Sequence, residues 1–291
     1  MQDISQFLSR FGLLEREGIY PDMSHEDYHA DRSAVNGSKL KLMLKSPRLY
    51  LRAPACSANT PSTSLGSAIH AALLESDRFS AQYIVKPTFN RRTKAGKADE
   101  AAFVRDHPGS FFISAKDAWI IKNVRESVLQ HQGARRLLTR GVAERAMFWR
   151  DERTGLMCKT KPDLERDGII VDIKSTTDAS KQEFRHSIAR LHYDLTAFMQ
   201  QLGVKRITGE TKQVVYIAVE TEEPFNTAVY IASDAQLASG QAKFEFATDR
   251  LKYCLSTGDW FGYQPQGIPE EIDVAGWGLL QSQPVGTIAR I

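Results

Sequence analysis

Two aspartates and a lysine carry the clearest chemical signal in the chain. Asp163 stands in Lys161-Pro162-Asp163, and Asp172 and Lys174 stand in Asp172-Ile173-Lys174. Between them, Asp167-Gly168 is a strong two-residue turn signal, and Ile169 to Lys174 is an apolar run interrupted by Asp172. A hairpin closed by that turn sets Arg166 opposite Ile169, Glu165 opposite Ile170, Leu164 opposite Val171 and Asp163 opposite Asp172. Directly opposed residues have Cβ atoms roughly 4.5–5.5 Å apart. Lys174 shares the face of Asp172, while Ile169, Val171 and Ile173 point the other way, into a core. Like charges opposite one another destabilise a ladder, so a shared proton or a divalent cation must offset the repulsion. Mg²⁺ takes oxygen ligands at about 2.0–2.1 Å, often from one or two carboxylates. A lysine beside it can orient a water or balance charge building on a phosphate. The chemistry expected is Mg²⁺-dependent hydrolysis of a phosphodiester. The same pattern also fits a surface hairpin with two exposed aspartates, so the surrounding elements must decide.

Bulk composition sets the bounds. With 291 residues, the chain is long enough for one large domain or two small ones. At 42% hydrophobic and 25% charged it reads as an ordinary globular protein. A net charge of +3 allows a nucleic-acid partner without requiring one. No apolar run is long enough for a membrane span, and Met1 to Gly12 lacks a signal-peptide layout. Cys56, Cys158 and Cys254 are scattered and form no CxxC pair, which argues against a zinc ribbon or a four-cysteine cluster. The expected setting is reducing, intracellular and cytoplasmic. Cys158 is expected in a strand, as a small core residue.

Three segments are expected: residues 1–140 as an arm and helical region packed on the core, 141–256 as an αβ core, and 257–291 as a tail. In the first, Ser24 can cap a helical turn with Asp27 three positions on. Asn36 or Ser38 can cap a helix to about Lys45, ended by Ser46-Pro47. Residues 53–64 read as a loop. Leu65 to Glu75 is a helix on which Gly66 and His70 share a face. Alone, His70 is an ordinary core or surface histidine unless that face meets the hairpin. Phe79 to Pro87 holds a short strand. Asn90-Arg91-Arg92-Thr93-Lys94-Ala95-Gly96-Lys97 concentrates cations beside a glycine on a loop, which suits phosphate contacts or a merely solvated surface. Asp117 to Thr139 reads as one long helix.

The core is read as strand Glu144 to Arg150, a turn at Thr154-Gly155, strand Leu156 to Asp163, and strand Ile169 to Ser175. A loop with Asp178 as a candidate cap follows, then one helix from Lys181 to Leu202 closed by Gly203. Strands Lys212 to Val219 and Asn226 to Ile231 precede a last helix capped by Asp234. The fold class is thus α/β (α+β). The first three strands form an antiparallel meander and a helix crosses to a further strand, giving a mixed central sheet flanked by helices.

That order, with Asp163 ending the second strand and Asp172-Ile173-Lys174 on the third, resembles the PD-(D/E)XK nuclease fold. The chain is similar over nearly its whole length to the C-terminal nuclease domain of the exodeoxyribonuclease VIII (RecE) family. The likeness is carried by Gly18-Ile19-Tyr20, Tyr28-His29, the helix ending in Ser46-Pro47, Leu65 to His70, Lys161-Pro162-Asp163, Asp172-Ile173-Lys174 and Asp259-Trp260. Its most specific part is Phe89 followed by Asn-Arg-Arg-Thr-x-x-Gly-Lys.

The resemblance implies a Mg²⁺-dependent exonuclease, with Mn²⁺ as a substitute ion, that digests one strand of duplex DNA 5′→3′ and leaves a 3′ single-stranded tail. It implies a phage or prophage recombination role at double-stranded DNA ends, a homotetrameric ring, and a RecT-like single-strand annealing protein as partner. It assigns His70, Asp163 and Asp172 as metal ligands, the Ile173 carbonyl as a further one, and Lys174 as the catalytic lysine. Glu144 matches a glutamate that opens the first core strand in such nucleases. Arg91, Arg92, Lys94 and Lys97 are expected on DNA phosphates. The family's Gln-x-x-x-Tyr pair is replaced by Thr196 and Gln200, still i,i+4 and polar, while Tyr193 survives nearby; these three are expected near the DNA. Two rivals stand: an endonuclease or single-strand or flap nuclease of the same fold, and a non-catalytic DNA-binding subunit.

Overall fold

The computed structural model describes residues 17–54, 61–264 and 269–273. Expectations for Cys56 and for most of the tail fall outside them. In chain order the elements are β1 (Gly18–Tyr20), α1 (His25–Ala30), α2 (Gly37–Lys45), α3 (Pro47–Arg52), α4 (Pro61–Leu74), α5 (Ser76–Gln82), β2 (Tyr83–Val85), α6 (Lys94–Asp106), β3 (Phe111–Ile113), α7 (Ala115–Gln130) and α8 (Gln132–Leu138). There follow β4 (Val142–Ala143), β5 (Ala146–Arg150), β6 (Met157–Thr160), β7 (Leu164–Arg166), β8 (Ile169–Thr176), α9 (Lys181–Leu191), α10 (Tyr193–Thr208), β9 (Gln213–Glu220), β10 (Thr227–Ile231) and α11 (Asp234–Thr257).

A five-stranded mixed sheet, in order β10-β9-β8-β7-β4, forms the centre. Its β8 and β9 run parallel, joined by the α9–α10 crossover; the other pairs are antiparallel. Strand β8 is buried on both faces. Val171 and Ile173 pack with Ala68, Ile69, Ile121 and Val124 of α4 and α7. Ile170 packs on the other face with Phe184, Ala197 and Val204 of α9 and α10. Full burial of each such side chain favours folding by roughly 1.5–3 kcal/mol, and the two-sided cover leaves Asp172, 1% exposed, inside the protein.

The expected three-strand meander in one sheet is corrected. Strand β5 pairs with β6 on one side and with β1 on the other, in a separate antiparallel sheet. The chain changes sheets at Lys161-Pro162-Asp163, where Pro162 has no N–H to continue a ladder.

Two long helices are each broken in the structure. His131 ends α7 and caps α8 by accepting from the Ala134 N–H. His192, at φ 51°, separates α9 from α10. Gly203 does not cap α10; it lies inside that helix, where a Cβ would come within 2.6 Å of Trp149. The actual cap is Gly209, at φ 78°. Ser180 and Ser233 cap α9 and α11, rather than Asp178 and Asp234. Helix α4 begins at Pro61, inside the stretch read as a loop, and Pro47 starts the unforeseen α3. The caps at Ser24 and Asn36 form as expected. Cys158 is a fully buried strand residue. Among the described residues no helix is long and apolar enough to cross a membrane.

Candidate active site

The hairpin has the register read from its turn: Leu164 pairs with Val171, Glu165 with Ile170 and Arg166 with Ile169. Gly168 takes φ 69°, the left-handed conformation that such a turn needs. Asp163 lies one residue before β7, outside the ladder. Its Oδ2 accepts a 2.6 Å hydrogen bond from the Ile173 N–H on the opposite arm. The carboxylate is therefore held against the backbone of β8, beside Asp172.

The α4 face bearing Gly66 and His70 does meet the hairpin. A Cβ on Gly66 would lie 3.7 Å from Ser175 Oγ. His70 Nε2 is 3.1 Å from the Ile173 carbonyl oxygen, and its Nδ1 is 3.4 Å from Asp163 Oδ1. Both ring nitrogens thus face oxygens. Burial opposes charge on this ring, but Asp163 outweighs it and raises the His70 pKa. Burial likewise pushes Asp163 up, yet His70, Lys174 and the Ile173 N–H hold its carboxyl down at about 2. A protonated imidazole clasped by Asp163 and a carbonyl fits both shifts.

Glu144 completes a triad. One ligand atom each from His70, Glu144 and Asp163 lies within 4.8 Å of the others. Glu144 does not open a strand as expected. It sits between β4 and β5 at φ 52°, and its N–H donates to the Asp163 carbonyl. That bend turns its side chain into the site. Burial and then Asp163 raise its pKa, while Lys161, with Nζ 3.0 Å from Glu144 Oε2, opposes the rise. Sequence reasoning misses Lys161 as a site residue; its place in the Lys-Pro-Asp motif is the one signal that points to it.

Asp172 and Lys174 form the second half of the site. Lys174 Nζ is 2.8 Å from Asp172 Oδ1. Burial works against the ammonium, but Asp172 and Asp163 raise its pKa, so Lys174 stays protonated. Gln200, on α10, donates a 3.3 Å hydrogen bond to the same Asp172 oxygen. Gln200 is 3% exposed, so it braces Asp172 from within rather than standing at the surface. Tyr193 lies half-buried with Lys174 Nζ 5.0 Å from its ring centroid. Thr196 faces the first residue of α2: a Cβ on Gly37 would lie 3.3 Å from its Oγ1.

The donor set fits a hard divalent cation. Asp172 Oδ2 and Gln200 Oε1 are buried without a hydrogen-bond partner, and an unsatisfied buried oxygen is costly. Burial and the Asp163 charge also raise the Asp172 pKa, against the pull of Lys174. Oxygens of Asp163 and Glu144 with one imidazole are ligands such an ion accepts; Asp172 offers the same kind of oxygen but is not one of the three residues that cluster within 4.8 Å.

The basic segment owes its shape to the residues between its cations. Asn90 Oδ1 accepts from the Arg92 N–H, and Thr93 Oγ1 donates to the Asn90 carbonyl while accepting from the Gly96 N–H. Any Cβ on Gly96 would fall 2.2 Å from the Asn90 oxygen, so only glycine lets the turn lie on α6. The segment is a turn plus the first turn of α6, not a loop throughout. Arg91 is tied to Glu100 by a 2.7 Å bond from Nε. Arg92, Lys94 and Lys97 are exposed and form no ion pair with a described residue. Cations at a helix N-terminus oppose its dipole, an arrangement that a bound anion would relieve.

Residues 37–265 match the family model described as a PDDEXK-like domain of unknown function (DUF3799). Among solved structures, the chain is similar to a protein from Eubacterium rectale described as a "Putative exonuclease". The two share 14% identity and a TM-score of 0.60, with 91% of this chain and 96% of that one covered. At such identity the likeness speaks for the fold alone. Another, SSO0001, aligns at 12% identity over 78% of this chain and 96% of that chain; its TM-score of 0.29 supports no argument. No curated protein matches the chain. The family match spans well over half of the sequence and includes Lys161-Pro162-Asp163 and Asp172-Ile173-Lys174, so the chain belongs to the PDDEXK-like domain family and carries that family's mixed α/β fold.

Proposed function

We propose that the protein is a Mg²⁺-dependent exonuclease that digests one strand of duplex DNA from its 5′ end and leaves a 3′ single-stranded tail. The observation that carries the nuclease reading is the buried Asp163–Asp172–Lys174 constellation on one hairpin, joined by His70 and Glu144. A set of buried, mutually repelling carboxylates has no structural use that an apolar hairpin would not serve better. Family membership supports the same reading. The 5′→3′ direction, the ring-shaped tetramer and the single-strand annealing partner are supported by the RecE-like motifs of the sequence.

His70, Glu144, Asp163 and Asp172 would hold the ion, with the Ile173 carbonyl adjoining them. When bound, it supplies Lewis-acid polarisation of the phosphate and a more acidic water. Hydrolysis adds the water oxygen to phosphorus, breaks one ester bond and releases a sugar hydroxyl. Lys174, held protonated, is suited to neutralise charge on the phosphate oxygens rather than to remove a proton. Gln200 and Lys174 both bond Asp172 Oδ1, which leaves Oδ2 without a hydrogen-bond partner. Arg92, Lys94 and Lys97 would contact backbone phosphates, which position DNA without reading its sequence.

Linear duplex labelled at the 5′ or the 3′ end tests the proposal, with a closed circle as control. The expected result is Mg²⁺-dependent early release of the 5′ label as small products, late release of the 3′ label, and an intact circle. Cutting of the circle would replace the exonuclease with an endonuclease of the same fold.

A further inference from the structure

Helix α2 packs against the start of α10, and the contact brings a further amine, Lys41, beside Lys174. Gly37 and Lys41 are four residues apart on α2 and share a face. Gly37 fits under Thr196 and Met199, where a Cβ would lie 3.3 Å from Thr196 Oγ1 and 3.7 Å from Met199 Sδ. One turn on, Lys41 Nζ lies 5.4 Å from the ring centroid of Tyr193. Lys174 Nζ lies 5.0 Å from the same centroid. One aromatic ring therefore gathers two ammonium groups. Lys174 has Asp172 as its partner; Lys41 is half-buried and forms no ion pair with a described residue.

Such an arrangement is poorly satisfied in the free protein. A cation–π contact contributes less than removing an ammonium from water costs. Burial lowers the Lys41 pKa first and Lys174 second, against a smaller opposing pull from Asp172, to about 8. An anion arriving between the two amines would relieve their mutual repulsion.

We propose that Lys41 is a positioning residue of the nuclease site that holds the DNA phosphate adjoining the one attacked, with Tyr193 keeping its amine alongside Lys174. This rests on the nuclease reading and adds a residue to it. Lys174 then faces the reacting phosphate and Lys41 its neighbour on the same strand. The alternative, a merely structural Lys41 capping the Tyr193 ring, predicts effects on stability alone.

The test compares Lys41→Gln and Lys41→Arg with the parental protein. Steady-state digestion of linear duplex is measured with Mg²⁺, and binding of labelled duplex is measured across salt concentrations without Mg²⁺. Lys41→Gln is expected to raise KM about tenfold with a smaller change in kcat, and to make the slope of log K against log salt shallower by about 0.9, the share of one phosphate. Lys41→Arg, which retains the charge, is expected to recover most of both. A merely structural residue would move the melting temperature and leave the salt slope unchanged. Parental KM and salt slope in Lys41→Gln, with the parental protein active, overturn the Lys41 assignment and leave the nuclease reading standing. A parental protein that neither binds nor cuts duplex DNA overturns both.

Discussion

Asp163 and Ile173 are bound across the hairpin, carboxylate to backbone N–H, at 2.6 Å. This one bond explains how an aspartate can stand beside Asp172 in a folded protein. The carboxylate is partly satisfied by the strand it faces, and the acidic pair is built into the backbone rather than appended to it. Replacing Asp163 with Ala leaves the Ile173 N–H buried without an acceptor, at a cost of about 1–3 kcal/mol. Asp163→Asn keeps an oxygen there. Thermal melts should place Asp163→Asn above Asp163→Ala, with neither retaining parental divalent-ion binding. Equal melting temperatures would deny the bond its structural role.

Proton and metal should compete at His70. Its pKa is raised in the folded protein. The His70–Asp163 contact of the ion-free protein therefore stabilises fully below the unfolded value of about 6.5. That contribution fades as pH rises through the folded value. Ion binding needs a deprotonated ring nitrogen and should release a proton. Calorimetry in buffers of different ionisation enthalpy should show Mn²⁺ or Mg²⁺ affinity still rising as pH passes above the ordinary imidazole value of about 6.5, because the folded pKa is raised. His70→Asn should weaken binding by at least the roughly 10–100-fold that losing a mere support of a metal ligand costs, and flatten the pH dependence. An unchanged pH dependence in His70→Asn would remove His70 from the ligand set.

The order of residues in the basic turn is testable at a position that carries no charge. Gly96→Ala puts a methyl group 2.2 Å from the Asn90 carbonyl oxygen, so the turn must open. Duplex affinity should fall several-fold, and amide exchange should rise at Arg92 and Thr93. Converting Arg92, Lys94 and Lys97 to Gln should reduce the salt slope by about 0.9 for each phosphate that is no longer neutralised. Arg91→Gln is expected to matter less for DNA, because Glu100 already occupies its guanidinium. A salt slope that stays at the parental value in the triple variant would remove this segment from the DNA interface.

Gly203 offers a separate check on the core. A methyl group there would meet Trp149 at 2.6 Å and Thr160 at 2.8 Å. Overpacking of this kind costs typically about 1–3 kcal/mol, and Gly203→Ala should lower the melting temperature without altering the salt slope of DNA binding. An unchanged melting temperature would mean that α10 and β5 are not packed this closely.

Local signals in the sequence account for the hairpin and its register. Asp167-Gly168 specifies the turn, and the alternation of Ile169, Val171 and Ile173 specifies the buried face. Asn36, Ser24 and Gly66 are similarly local. The break at His192 carries no glycine or proline, and the one at His131 has only Gly133, two residues on, so the apolar periodicity runs through both unbroken. Glu144 is displaced from its strand by a left-handed bend that a non-glycine residue rarely adopts. The change of sheet at Pro162 separates two strands that read as one continuous meander. Lys41 and Lys161 reach the site from distant or unremarkable positions, and no spacing rule links Lys41 on α2 to Tyr193 on α10. From sequence, Gln200 reads as a residue facing DNA; burial against Asp172 gives it a supporting place instead.

Whether the hairpin performs the hydrolysis is decided by Asp172→Ala and Lys174→Ala, assayed on linear duplex with Mg²⁺ beside the parental protein. Both should lose at least roughly a thousandfold in digestion rate, as expected for groups that stabilise charge in a buried transition state, while salt-sensitive duplex binding persists. Digestion by either variant at near the parental rate would place the chemistry elsewhere in the protein.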